Sequence, residues 1–162
     1  MTKDKIQKDL NDALKSGDQL RRLTLGMLIN AIKNKELAKR ALLSKTISDA
    51  SQLEKQSQLN DDEILEAITS EVKKRRESIE QFQSGGRKEL AQKEKLEMDI
   101  LLGYLPEQMS EQEIRAEVQK TISELGAQGP KDMGKVIGAV MGKLKGRADG
   151  GLVSKIAKEL LS

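Results

Sequence analysis

The chain of 162 residues lacks histidine and cysteine, and Phe82 and Tyr104 are its only aromatic residues. These absences exclude imidazole and thiolate catalysis, disulfide bonds and zinc sites with nitrogen or sulfur ligands. With two aromatic residues the chain cannot form the stacking platforms of many single-strand nucleic-acid binders. No nucleophile and base pair or carboxylate cluster stands out among the other polar residues. We therefore expect no catalytic residue, no metal and no cofactor.

Proline is also scarce, at positions 106 and 130 only, and the charged third of the chain is mostly Lys and Glu. Lys, Glu, Gln, Leu and Ala lose little rotamer freedom in a helix, whereas strands favour β-branched and aromatic residues. The composition therefore predicts an all-α protein. No apolar run approaches the roughly 18 residues of a membrane span, and no apolar targeting segment opens the sequence. We expect a cytosolic protein without a membrane partner.

Apolar residues recur at helical spacing along the chain, and the pattern predicts two helical subdomains. Residues 1–106 form an N-terminal subdomain of longer helices, and residues 107–162 form a three-helix bundle. The polar segment 44–60 is a helix extension or a connector. Glycines and prolines mark predicted helix boundaries at Gly17, Gly85–Gly86, Pro106, Gly126 and Pro130, and the second helical pattern begins after Asp18 and fades near Leu43. Asn60 with Glu63, and Ser110 with Glu113, predict capping boxes at two helix starts. The second helical pattern contains Leu20, Leu23, Met27, Leu28, Ala31 and Ile32.

Four glycines, Gly134, Gly138, Gly142 and Gly146, follow one another at intervals of four within a helical pattern. Each one costs a helix interior about 1 kcal/mol relative to Ala. At about 100° per residue they lie opposite the apolar residues, and the same sector carries Lys135 and Lys145. Such a surface lets a phosphate backbone approach closely, although it also suits close packing of another helix.

The charge distribution is compatible with an anionic partner at the C-terminal end. Residues 129–162 contain seven bases and three acids, a net charge of +4, whereas residues 1–128 sum to −1. A solvated lysine-rich surface explains the surplus equally well. The run Lys73-Lys74-Arg75-Arg76 suits either a solvated face or an RNA contact, and the solvated face is favoured because Glu71, Glu77 and Glu80 lie within salt-bridging range. The acids of Asp61-Asp62-Glu63 suit the start of a helix.

Several stretches resemble the YqeY family. They are residues 29–34 (INAIKN), 72–80 (VKKRRESIE), 104–108 (YLPEQ), 131–136 (KDMGKV) and 146–150 (GRADG). The resemblance implies two all-α subdomains and kinship with the tail of the B subunit (GatB) of tRNA-dependent amidotransferase, a part that contacts tRNA. The catalytic region of that subunit has no counterpart here. Segment 44–60 is longer than the usual family connector.

Three hypotheses follow from these observations. In the first, a non-catalytic accessory protein binds a folded tRNA through Lys131, Lys135, Gly138, Gly142, Lys145 and Arg147. In the second, the glycines receive a helix of a protein partner in aminoacyl-tRNA metabolism, without RNA binding. The third is a carbon–nitrogen ligase activity with glutamine as amido-N-donor, inherited with the family.

Overall fold

A computed structural model describes residues 2–162 and confirms the all-α class, with no strand in that range. The helices are α1 (Thr2–Ser16), α2 (Gln19–Leu43), α3 (Ala50–Ser57), α4 (Asp61–Ser84), α5 (Lys88–Leu102), α6 (Glu111–Leu125), α7 (Met133–Leu144) and α8 (Gly150–Leu161). A 3₁₀ turn, Pro130–Asp132, precedes α7. The chain divides into two compact units, Met1–Tyr104 and Leu105–Ser162. Among the described helices, none has the length and apolar character that crossing a bilayer requires.

The predicted capping boxes form at the starts of α4 and α6. The backbone N–H of Glu63 donates to Asn60 Oδ1 over 2.9 Å, and the backbone N–H of Asn60 donates to the Glu63 carboxylate over 2.8 Å. Ser110 and Glu113 exchange the same two bonds at 3.3 and 2.7 Å. Hydrogen bonds from Ser110 lower the pKa of Glu113 by favouring the charged carboxylate. Both helix starts were therefore readable from local sequence.

Two predicted boundaries were wrong. α5 ends at Leu102, with Gly103 after it, rather than at Pro106. Segment 44–60 is neither an extension of α2 nor wholly a connector, because it contains the separate helix α3. Asp49 starts that helix by accepting a hydrogen bond from the backbone N–H of Gln52 over 2.7 Å. A local cap at Asp49 therefore allows a helix where the apolar spacing is too sparse to predict one.

The first unit contains α1 to α5 around an aliphatic core. Its fully buried large side chains are Ile6, Leu25, Leu28, Ile32, Ile64, Ile68 and Leu101. α2 turns only part of its apolar pattern inward, because Leu23 and Met27 are 51% and 41% exposed. The helix therefore carries a second apolar face, which is directed to solvent.

The basic run in α4 is only partly the solvated face that the sequence predicted. Lys74 pairs with Glu71 at 2.6 Å on the surface. Arg75 points instead toward α5, where its Nη1 lies 2.8 Å from the Glu97 carboxylate and 3.0 Å from that of Glu94. The side chains of Arg75 and Glu97 are only 15% and 5% exposed. Glu94 and Glu97 belong to a neighbouring helix, so the spacing of residues along α4 could not predict these ion pairs.

The second unit is a bundle of α6, α7 and α8. Its core contains Ile114, Val118, Val136, Val140, Leu144, Ala148, Val153, Ile156, Ala157 and Leu161. Gly126, at φ 62°, closes α6 in the left-handed conformation that glycine adopts without steric cost. α7 contributes one apolar side to this core, so its opposite side is directed to solvent.

Candidate nucleic-acid surface on helix α7

The two sides of α7 differ sharply in burial. Val136 and Val140 are fully buried, whereas Gly134, Gly138 and Gly142 are exposed. A Cβ atom built on each of these three glycines meets nothing within 4 Å. We call these three residues the glycine strip. At a rise of 1.5 Å per residue the strip is about 12 Å long and exposes helix backbone that no side chain covers.

The strip is one glycine shorter than the sequence predicted. α7 ends at Leu144, and the next two residues have positive φ, 27° at Lys145 and 76° at Gly146. Two such residues in succession end the helix, so the helical angles assigned to Lys145 and Gly146 do not apply. Both residues instead lie in the turn that leads toward α8. Lys145 is exposed in that turn.

Lys131 and Lys135 are the cations beside the strip. Both are exposed, Lys131 in the 3₁₀ turn and Lys135 in the first turn of α7. Lys135 follows Gly134 at about 100° around the helix axis, next to Gly142 at about 80°, and Lys131 precedes Gly134 by three residues in the 3₁₀ turn. Within residues 2–162 neither ammonium group forms an ion pair. Both charges therefore remain available to a ligand at the strip.

Lys143, by contrast, forms ion pairs with acidic residues of α6. Its Nζ lies 2.6 Å from the Glu124 carboxylate and 3.1 Å from that of Glu117. It also donates to the Thr121 hydroxyl over 3.1 Å. The hydrogen bond to Glu124, followed by that to Glu117, raises the pKa of Lys143. The second unit as a whole has nine bases and eight acids, so the surplus of +4 in residues 129–162 is largely balanced by acids of the same unit.

Arg147 has structural contacts in addition to its predicted role. Its Nε donates to the backbone oxygen of Glu107 over 3.3 Å, and its own backbone oxygen accepts from the N–H of Met109 over 2.8 Å. The Gln108 amide donates to the backbone oxygen of Gly146 over 2.7 Å. These bonds fasten the turn before α8 to the segment before α6. The sequence did not predict that Gln108 takes part in these hydrogen bonds, although both segments belong to the motifs that resemble the YqeY family.

Tyr104, the one aromatic hydroxyl, is committed to a polar cluster in the first unit. Its hydroxyl donates to the Asp9 carboxylate over 2.5 Å, and Arg21 Nη2 lies 3.5 Å from the hydroxyl oxygen. Burial, and then the hydrogen bond to Asp9, raise the pKa of Tyr104 to about 12. A phenol with that pKa is neutral near pH 7 and is a poor nucleophile.

The sequence profile described as Yqey-like protein matches residues 3–161. Similar fungal proteins are named altered inheritance of mitochondria protein 41, mitochondrial. The one from Pyrenophora tritici-repentis is 35% identical over 104 residues, which cover 62% of this chain and 57% of that protein. The one from Lachancea thermotolerans is 30% identical over 127 residues, which cover 77% of this chain and 60% of that protein. The chain spans 46% to 60% of the length of the four curated relatives it matches.

Proposed function

Since the chain belongs to the family of Yqey-like proteins, we propose that it is a non-catalytic accessory protein that binds tRNA through its second unit. The contact surface is the glycine strip with Lys131 and Lys135, extended by Lys145 and Arg147. The open helix backbone beside two unpaired ammonium groups is the observation that carries this proposal. A cytosolic location remains a prediction for this chain, whereas its fungal relatives are named as mitochondrial proteins.

Physical chemistry supports a folded RNA as the ligand. A side chain on the strip would hold a sugar–phosphate backbone at least one methyl group away, whereas glycine lets it approach the helix directly. Lysine ammonium groups neutralise phosphates and release counterions, which supplies affinity without reading the base sequence. The second unit, residues 105–162, contains no aromatic residue, so stacking on unpaired bases cannot contribute there. These properties favour a ligand recognised by its shape and backbone.

The proposal is tested by titrating a purified tRNA with the full chain at several salt concentrations. We expect Lys131→Glu with Lys135→Glu to weaken binding strongly. The slope of log affinity against log salt should fall by about 1 for each phosphate that is no longer neutralised. Lys155→Glu with Lys158→Glu is the matched control, because both lysines are exposed on α8 and the net charge changes equally. Equal weakening in the two double variants would reduce the effect to overall charge and refute a site on α7.

Gly138→Leu distinguishes the tRNA proposal from the hypothesis of a protein partner. Its side chain would occupy open space beside the helix, so the fold should persist while any ligand on the strip is displaced. If tRNA binds the strip, Gly138→Leu and the double variant of Lys131 and Lys135 should both bind it more weakly. If the strip instead receives a helix of a protein partner, Gly138→Leu should abolish binding of that partner, whereas the lysine changes should alter its binding little.

The amidotransferase alternative rests on the family resemblance. We propose that the chain does not carry out this chemistry, because no nucleophile and base pair stands out in its sequence. The purified chain should therefore release no ammonia from glutamine, with or without added tRNA. Steady turnover of glutamine without another subunit would overturn this part of the proposal.

A further inference from the structure

A depression of about 470 Å³ lies in the first unit, and residues of α2 and α5 form its apolar wall. Leu20 of α2 and Leu96 and Ile100 of α5 supply the aliphatic surface. The depression shares no residue with the glycine strip, and the proposed RNA contact does not use it. Its apolar lining indicates a protein side chain rather than a phosphate as occupant.

Exposed apolar side chains project from the same two helices. Leu23 and Met27 are 51% and 41% exposed on α2, and Leu96 is 45% exposed on α5. Leu20, Leu23 and Met27 lie within about 60° of one another around α2 at the helical repeat. Leu20 of the depression and the projecting Leu23 and Met27 therefore share one side of α2, and we call this side, together with the apolar wall on α5, the α2–α5 face. A face with both a hollow and projections can fit a copy of itself.

The polar rim of the depression has two positive and two negative residues. Asp9 and Arg21 are engaged within the unit, because Asp9 accepts from Tyr104 over 2.5 Å and Arg21 lies 3.5 Å from Asp9. The other two rim charges are Lys5, whose Nζ lies 5.5 Å from the centre of the Tyr104 ring, and Asp99. Within residues 2–162 neither of these two forms an ion pair. One cation and one anion without an oppositely charged partner thus flank the same apolar face.

We propose that the α2–α5 face is occupied by a second copy of this chain, arranged with two-fold symmetry. In such a pair each surface meets itself, so Lys5 of one copy faces Asp99 of the other, and the reverse pair forms at the same time. Leu23 and Met27 of one copy then fill the depression of the other. A partner with charge of one sign would gain an attraction at one rim residue and meet repulsion at the other.

The full chain is tested by sedimentation velocity at increasing concentration. We expect reversible dimerisation, and we expect Leu23→Glu and Leu96→Glu each to weaken it about tenfold, because each places a charge in an apolar contact. Leu42→Glu is the matched control, because Leu42 is 68% exposed and lies elsewhere on α2. A chain that remains monomeric at about 1 mM, or a control that weakens dimerisation equally, overturns the proposal.

A charge exchange tests the symmetry itself. Lys5→Asp alone and Asp99→Lys alone should each impair dimerisation, because each places like charges opposite one another in both symmetric pairs. Mixing the two variants should restore it, since both pairs in the mixed dimer then combine opposite charges. Failure of the mixture to exceed either variant alone overturns the arrangement. Circular dichroism of every variant verifies that the helices are retained.

Discussion

Replacing the glycine strip with alanine should stabilise the second unit. All three glycines are helical and exposed, and a Cβ atom at each meets open space, so alanine adds helix propensity without a clash. Gly138 is mid-helix and should contribute about 1 kcal/mol. Gly134 and Gly142 lie in the terminal turns and should contribute about half as much each. The expected total is about 2 kcal/mol, which corresponds to about 8–16 °C in melting temperature for a unit of this size.

Urea and thermal unfolding, followed by circular dichroism, measure this gain. Gly126→Ala and Gly146→Ala are the matched controls, because their φ values of 62° and 76° are unfavourable for alanine. These two variants should become less stable while the strip variants become more stable. A triple strip variant that is less stable than the original chain would refute this reasoning, because it would mean that other residues of the folded chain pack against the glycines. The same triple variant should bind tRNA more weakly if the strip is the contact surface.

Three further predictions concern the two units. Absorbance at 295 nm during an alkaline titration should report ionisation of Tyr104, the chain's single tyrosine, near pH 12, and Asp9→Asn should lower that midpoint. Since the folded pKa is the higher one, the associated stability is present below about pH 10 and declines as pH rises toward 12. In urea unfolding, Arg75→Ala should cost about 3 kcal/mol by leaving the Glu97 carboxylate buried without its cation, whereas replacing both residues with Met should cost much less. The fragment Leu105–Ser162 should unfold cooperatively by itself, and a broad non-cooperative melt would contradict its status as a domain.

Local chemistry explains which helix starts were predictable. Asn60 with Glu63, and Ser110 with Glu113, satisfy backbone groups within a single turn, so residues three positions apart determine the cap. Helix α3 shows where this reasoning fails in segment 44–60. Asp49 also caps its helix through a side-chain oxygen, but no strong apolar stripe follows it. A cap alone does not predict a helix, because most helical stability in proteins comes from the packing of an apolar face.

Contacts between helices were not predictable from spacing along one helix. Arg75 belongs to a run of four bases whose neighbours along α4 are acidic, and only the packing of α4 on α5 brings it to Glu97. Lys143 was counted in the basic surplus, and α6 then places Glu117 and Glu124 against it. Charge counted along a segment therefore overestimates the charge that a folded surface presents.

The end of α7 changes the interpretation of the candidate surface. Angles extended past Leu144 placed Lys145 on the helix, but the left-handed turn moves it beyond the last helical residue. Nothing in the spacing distinguishes a fourth strip glycine from a glycine that ends the helix. Gly146 serves the second purpose, so its presence needs no ligand. The part of the pattern that still requires an explanation is Gly134, Gly138 and Gly142.

These three glycines make α7 less stable than it could be, because alanine would fit each position and has a higher helix propensity. A stability deficit confined to one exposed side is the kind of local inconsistency expected at a functional surface. Close approach of a partner helix and of an RNA backbone would both benefit from glycine. The adjacent unpaired charges of Lys131 and Lys135 favour RNA, because a helix packed on the strip would gain from small apolar neighbours and not from two ammonium groups.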